Sequence, residues 1–583
     1  MTFDVIIRHG EVVDGTGAPS TRRDVGISGD RITAVGDLSE ASARLEVDAS
    51  GKVVCPGFID MHSHADQTVL LYPNGESAIG QGITTVVCGQ CGFSPAPLNE
   101  HYLSCFWEWN WWDKVAPRKY YQEPIADLEA VRKHALDTDG LDINWSSFGD
   151  WLDRVRQAKP SVNMVPLVGH GSVRAAAMGE DYRRAATDDE ISAMKRYVEE
   201  SMDQGACGIS NGLDYAPNSY ATIEESYEVI GAAIDKGGIF CSHWWRTGLR
   251  QGFGNPGLIN GVKQALDIAM NTGAKIELAH LSPGYLLAPS STPKLSVCAA
   301  EETLDVIDRA IRDGVDVSFD VIPNHTTGGV LHAKYLAALL EPWLKEAGDL
   351  ERFSKNLRAP DLRQEIKQYI LSGKWYSLNP VIQPGWAERI LIGKTEVQEF
   401  TSKTVAQIAD EKGCHPLDAL MDIISMDPYS QTATPSGSDE VKRVFYTHPR
   451  AMVGVDTFLV DHTAESRVPP YYLPNPNTFG GMARYIKLYA LGLLGLEEGI
   501  KRITSQPAKW LGLKDRGVIS QGMKADIVVF APEEVTDKGT DDEPRRYPEG
   551  FRWVFVNGKS AMENGILTAG RSGQVLYTRP RSL

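Results

Sequence analysis

At 583 residues the chain is too long for one ordinary core and long enough for a barrel with a satellite domain. Its 42% hydrophobic and 23% charged residues are ordinary globular values, which excludes wholesale disorder. A formal charge of −17 argues against nucleic acid or an anionic membrane surface as the main partner, because either needs a basic face.

The N-terminus reads as short strands and turns. Phe3 to Arg8 is a strand, Asp14-Gly15-Thr16-Gly17 a turn, and Arg22 to Ser28 a second strand. Gly29-Asp30 is a hairpin signal before Arg31 to Val35. Nothing at this end resembles a secretory leader, and no stretch offers about 18 uncharged apolar residues; the expectation is a cytoplasmic protein that does not span a membrane. Leu45 to Asp48 and Lys52 to Cys55 continue the β texture, Pro56-Gly57 punctuates it, and Phe58 to Met61 enters a buried strand. The far end has the same texture in Ala525 to Phe530 and Trp553 to Gly558. The two ends are expected to form one small β-sandwich, from residues 1–56 and 511–583.

Between them, residues 57–510 alternate apolar runs with helical patterns, the signature of parallel β/α units. After Phe58 to Met61, the candidate strands are Thr84 to Cys88, Met164 to Val168, Gly208 to Ser210 and Ile239 to Cys241. Lys275 to Ala279, Val315 to Phe319 and Ala451 to Val455 complete a set of eight. The expected fold is α/β: a distorted (β/α)8 TIM-like barrel. An insertion at about 95–143 carries five aromatics in seven residues, Phe106 to Trp112, and reads equally as a lid, a pocket wall or a subunit interface. Homo-oligomers are therefore possible. The eight cysteines are scattered and do not form a disulfide framework.

His62-Ser63-His64 is the sharpest chemical signal. Residues i and i+2 of a strand share a face, so both imidazoles project inward at the strand's C-terminal end, where barrel active sites lie. Other metal-ligating types end their own strands: Cys91, His243, His280 and Asp456. Imidazole and thiolate together favour zinc over magnesium or calcium.

These residues carry a family resemblance. The chain resembles the amidohydrolase superfamily and, within it, the N-acyl-D-amino-acid deacylases (D-aminoacylases). The resemblance rests on Asp14 to Gly17, Pro56 to Asp66, Gly82 to Gly92, Leu167 to Gly171, Gly208 to Pro217, Thr504 to Lys509 and Lys524 to Val528. It implies a β-sandwich beside the barrel and one or two zinc ions on His62, His64, Cys91, His243, His280 and Asp456. Cys91 stands where that group has a metal-ligating cysteine, with Cys88 as the rival thiol. Asp456 would take a proton from water and return it to the leaving nitrogen. Tyr215 and His170 would support the substrate; His170 reads equally as a satisfied structural histidine.

Three departures bear on the substrate. Ser282 stands where the deacylases have lysine, and Asn475-Pro476-Asn477 where they have His-Pro-Arg; the lost pair resembles a carboxylate clamp. Arg467, Arg450 and Lys294 are the candidate replacements. In place of the family's His-x-Arg stands His243-Trp244-Trp245-Arg246, adding aromatic surface. The expected substrate is a small molecule, a larger aromatic or neutral amide or a cyclic amide, contacted by Tyr215, His170, Trp244, Trp245 and Ser282. The alternatives are an N-acyl-D-amino acid held by a displaced clamp, ring opening of a cyclic amide or imide, decarboxylation on the same scaffold, and a retired scaffold used for binding.

Overall fold

The computed structural model describes residues 2–103, 124–246, 258–285, 292–324, 331–333, 335–372, 381, 385–433, 438–466, 469 and 471–578. The Phe106 to Trp112 run and Arg467 lie outside the described residues.

Both termini build one mixed, nine-stranded sheet. The N-terminal strands Thr2–Val12, Thr21–Ser28, Arg31–Gly36, Ser42–Asp48 and Val53–Pro56 meet the C-terminal ones where Val53–Pro56 pairs antiparallel with Ile527–Phe530. Alternation drives this pairing: Val5, Ile7, Val25, Ile27, Ile527, Val529 and Phe555 share one buried face.

Each of the eight strands read from the middle of the chain is present. Phe58–Asp60, Ile83–Cys88 and Asn163–Pro166 form one parallel sheet. Val168–Gly169, Gly208–Gly212, Ile239–His243, Ile276–Leu278, Val317–Val321 and Ala451–Val453 form another. The expected Met164 to Val168 strand is broken at Leu167, whose N–H turns to Cys88 C=O at 2.8 Å. At the far edge, Met61 N–H donates to Val453 C=O at 3.0 Å. Helices on the outside start on capping residues. Thr187 and Glu190 form a capping box for Asp188–Gln204, which buries Met194, Val198 and Met202.

Between Val317–Val321 and Ala451–Val453 the chain inserts a helical block with its own apolar core, from Leu336 to Ile424. The sequence does not separate this block from the helices that lie between the parallel strands. In the aromatic insertion, the described flanks His101–Leu103 and Ile125–Asp127 pair antiparallel ahead of the helix Leu128–Asp139.

A buried polar cluster joins the terminal sheet to the parallel strands. Asp526 Oδ2 accepts from Asn163 Nδ2 at 3.1 Å and from the Arg516 guanidinium, while its Oδ1 accepts from Asn557 N–H at 2.6 Å. Removing one partner of a buried ion pair leaves an uncompensated charge. Asp526→Ala is therefore expected to lower unfolding free energy by about 3–5 kcal/mol in denaturant titration. An unchanged unfolding midpoint would refute that role.

Candidate metal centre

The C-terminal strand ends converge on one buried set of ligating side chains. His62 and His64 follow Phe58–Asp60, Cys91 follows Ile83–Cys88, His243 ends its strand, and His280 and Asp456 follow theirs by two or three residues. Cys91 Sγ lies 3.3 Å from His62 Nε2, 3.4 Å from His243 Nδ1 and 3.8 Å from His280 Nε2. His243 Nδ1 and His280 Nε2 are 2.9 Å apart. Asp456 Oδ1 is 3.6 Å from His62 Nε2 and 3.4 Å from His64 Nε2. All six expected residues are thus brought together, in overlapping groups that could each hold an ion: His62, His64 and Cys91; Cys91, His243 and His280; His62, His280 and Asp456. Cys88 is buried elsewhere, its thiol facing Val165 C=O at 3.9 Å.

Strained backbone aims these groups. Cys91, His280 and Asp456 have φ of 58°, 37° and 53°, in the left-handed region that costs a non-glycine residue about 1–3 kcal/mol. Glycines make room for the turn at Cys91: a Cβ at Gly89 (φ 79°) would lie 2.1 Å from Leu167 O.

Carboxylates orient the imidazoles. Asp214 Oδ2 lies 3.3 Å from His243 Nε2, and Asp320 Oδ2 lies 3.6 Å from His62 Nδ1 while accepting His280 N–H at 3.0 Å. Asp60 Oδ1 accepts from His62 N–H at 3.1 Å and Val455 N–H at 2.8 Å. Burial pushes the Asp60 carboxyl up to about 8. Burial also acts against the Asp456 carboxylate, but His62, His64 and Arg246 outweigh it and hold Asp456 down at about 2. His280 is pushed well below the ordinary histidine range by burial and by Arg246, His243 and His62, so its ring stays neutral and able to ligate.

The remaining sequence candidates fall in several places. Tyr215 is buried with its ring 4.5 Å from that of His243. His170 sits in a buried triad, 3.1 Å from Glu225 Oε1, with Arg174 on the other carboxylate oxygen. Trp244 and Trp245 are 0% and 2% exposed, and a Cβ at Gly261 would lie 2.3 Å from Trp245 O, so both belong to the packed interior. Ser282 is half-buried after His280. Arg450 pairs with Asp316 at 3.0 Å at the opposite end of the strands and so does not stand in for the missing clamp; Lys294 is exposed in the first turn of the helix Pro293–Arg312. Asp214, Asp320 and Asp60 were missed as orienting groups. A signal existed for two of them, since Asp60 and Asp320 are acids within short, fully buried strands rich in apolar residues.

The amidohydrolase family model matches residues 45–339, half of the chain. D-aminoacylase of Alcaligenes xylosoxydans xylosoxydans is 29% identical over 576 residues, covering 98% of this chain and 97% of that protein. Among solved structures, a D-aminoacylase studied for its binuclear metal centre superposes with a TM-score of 0.68 at 28% identity, over 99% of this chain and 100% of that one. The N-acyl-D-glutamate deacylase of Bordetella bronchiseptica, complexed with zinc and a phosphonate inhibitor, matches with the same TM-score of 0.68, 28% identity, and 99% and 100% coverage.

A methyl group at Gly454 would lie 2.0 Å from Asp320 Oδ1 and 2.6 Å from His62 Cβ. Gly454→Ala is expected to displace both and weaken divalent-ion binding by about 10–100-fold, read by cobalt(II) titration. Wild-type affinity in that variant would contradict the geometry.

Proposed function

The chain belongs to the amidohydrolase family, and we propose on that premise that it is a zinc-dependent hydrolase of a carbon–nitrogen amide bond other than a peptide bond. The observation that carries this reading is the Cys91 thiol at 3.3, 3.4 and 3.8 Å from three buried imidazole nitrogens. With bonds of about 2.0–2.3 Å, the ligand edges of tetrahedral zinc are about 3.3–3.6 Å; the Cys91 contacts to His62 and His243 match these edges, and the His243–His280 pair at 2.9 Å is closer. Overlap of the donor groups at Cys91 and His62 supports one or two ions. We also infer that the two parallel sheets make one barrel, residues 57–510, beside a unit from 1–56 and 511–583; the Met61–Val453 hydrogen bond supports it.

His62, His64, Cys91, His243, His280 and Asp456 would hold the zinc, which would supply Lewis acidity enough to bring the pKa of a water towards neutrality. Asp456, ionised and buried, accepts the water's proton and passes it to the leaving nitrogen. Tyr215, packed on His243, is the polar group best situated to steady the oxygen of the amide. Asp214 and Asp320 hold the imidazole rings in the tautomers that ligation needs.

The substrate in this reading is an aromatic or neutral amide. Ser282 brings no charge, and Asn475 and Asn477 are spent on backbone bonds near Asp456. One observation favours a second reading, an N-acyl-D-amino acid. The positive charge of Arg246 acts on both Asp456 and His280, as a displaced carboxylate clamp would.

Metal analysis and turnover separate these readings. Native protein should carry zinc, and Cys91→Ala should lose most of it together with hydrolysis. Solvent oxygen from labelled water should enter the product; release of carbon dioxide would point to decarboxylation instead. Turnover of neutral aryl amides above N-acetyl-D-amino acids is the expected ranking. The reverse ranking, with KM for the acid raised in Arg246→Gln, would establish the second reading.

A further inference from the structure

The segment carrying Asp456 is bound on every side. Val455 N–H is held by Asp60 Oδ1 at 2.8 Å and Asp456 N–H by His62 C=O at 2.8 Å. Past Asp456, Thr457 C=O accepts from His64 N–H at 2.8 Å and from Ser63 Oγ at 3.1 Å. The remaining carbonyl ahead of Asp456 is held by a side chain from the following helix: Val455 C=O accepts from Asn477 Nδ2. That carbonyl belongs to the peptide unit leading directly into Asp456, whose φ of 53° is strained.

Asn477 is itself prepared for this bond. It is buried at the start of the helix Asn477–Tyr485, and its own N–H is satisfied by Asn475 Oδ1 at 3.0 Å. Its Oδ1 is buried with no hydrogen-bond partner among the described residues. Burying an amide with an unmet acceptor is costly, so packing or helix initiation alone would be better served by an apolar residue. The space around it is also tuned. A Cβ at Gly481, one helical turn on, would lie 2.4 Å from Asn477 Oδ1. The neighbouring Thr478 reinforces the same strip, its hydroxyl 2.6 Å from that of Thr457.

We propose that Asn477 is a positioning residue for Asp456: its amide donates to the Val455 carbonyl and so fixes the peptide plane that aims the Asp456 carboxylate at the reacting water and nitrogen. The stretch Asn475-Pro476-Asn477 thereby serves as a brace for the proton carrier. The inference rests on the reading of Asp456 given above. A proton carrier displaced by about 1 Å loses on the order of a hundredfold in rate with little effect on binding.

The test uses the zinc-loaded enzyme and the best amide substrate from the screen, with three variants. Asn477→Asp keeps the shape and removes the donor. Gly481→Ala leaves Asn477 in place and pushes its amide aside. Asp456→Asn is the control on the underlying reading. The expected result for the first two is a kcat lower by about 10–100-fold, with KM within about threefold and zinc content unchanged. A kcat within about twofold of wild type for Asn477→Asp, with Asp456→Asn inactive, would overturn the positioning role alone. Parallel losses of zinc, KM and kcat in both brace variants would likewise overturn it, in favour of a general structural role. Retained kcat in Asp456→Asn would overturn the role of Asp456 and this inference with it.

Discussion

Histidines 62, 64, 243 and 280, the Cys91 thiol and the Asp456 carboxylate crowd a buried volume in which their ligating atoms approach to 2.9–3.8 Å. Lone pairs at that separation repel unless a cation or protons lie between them, and the low dielectric makes that demand severe. The rest of the site follows from it. His280 is kept neutral and Asp456 ionised, the states a cation selects. Two of the four rings turn their other nitrogen towards a carboxylate, His243 Nε2 at 3.3 Å from Asp214 and His62 Nδ1 at 3.6 Å from Asp320.

Holding such a set together requires backbone that ordinary strands do not supply. Each of the six residues sits at or just past the end of a parallel strand, and three of them are reached through left-handed turns. The strain is offset by bonds that pin the turns: Asp60 ties the His62 turn to Val455, Asp320 holds His280 N–H, and Asn477 holds the Val455 carbonyl. Gly89 and Gly454 let strands pass close enough for those bonds to form. Fold and site are thus one construction, with the strand ends placing the ligands and buried carboxylates and amides locking them.

Much of this was legible in the chain. His62 and His64 announced themselves by period-two spacing at a strand end, and Cys91, His243, His280 and Asp456 by following apolar runs in the same way. What stayed hidden depended on contacts far apart in sequence. The role of Asn477 needs Val455, 22 residues away, and was read only as the loss of an arginine. Trp244 and Trp245 are as buried as His243 before them, and the close approach of Trp245 to Gly261 of the helix Leu258–Thr272 joins residues 16 apart in sequence. The helical block from Leu336 to Ile424 went unseparated because its amphipathic helices have the same periodicity as those that cover a barrel.

The central claim is that this donor set holds zinc through the Cys91 thiolate. Crystals of the native protein, measured on both sides of the zinc absorption edge, test it most directly. The account predicts an anomalous peak at about 2.3 Å from Cys91 Sγ and about 2.0–2.1 Å from the His243 and His280 nitrogens. Intact, unmodified Cys91 with no anomalous density beside it, in protein that turns over its amide substrate, would contradict the account.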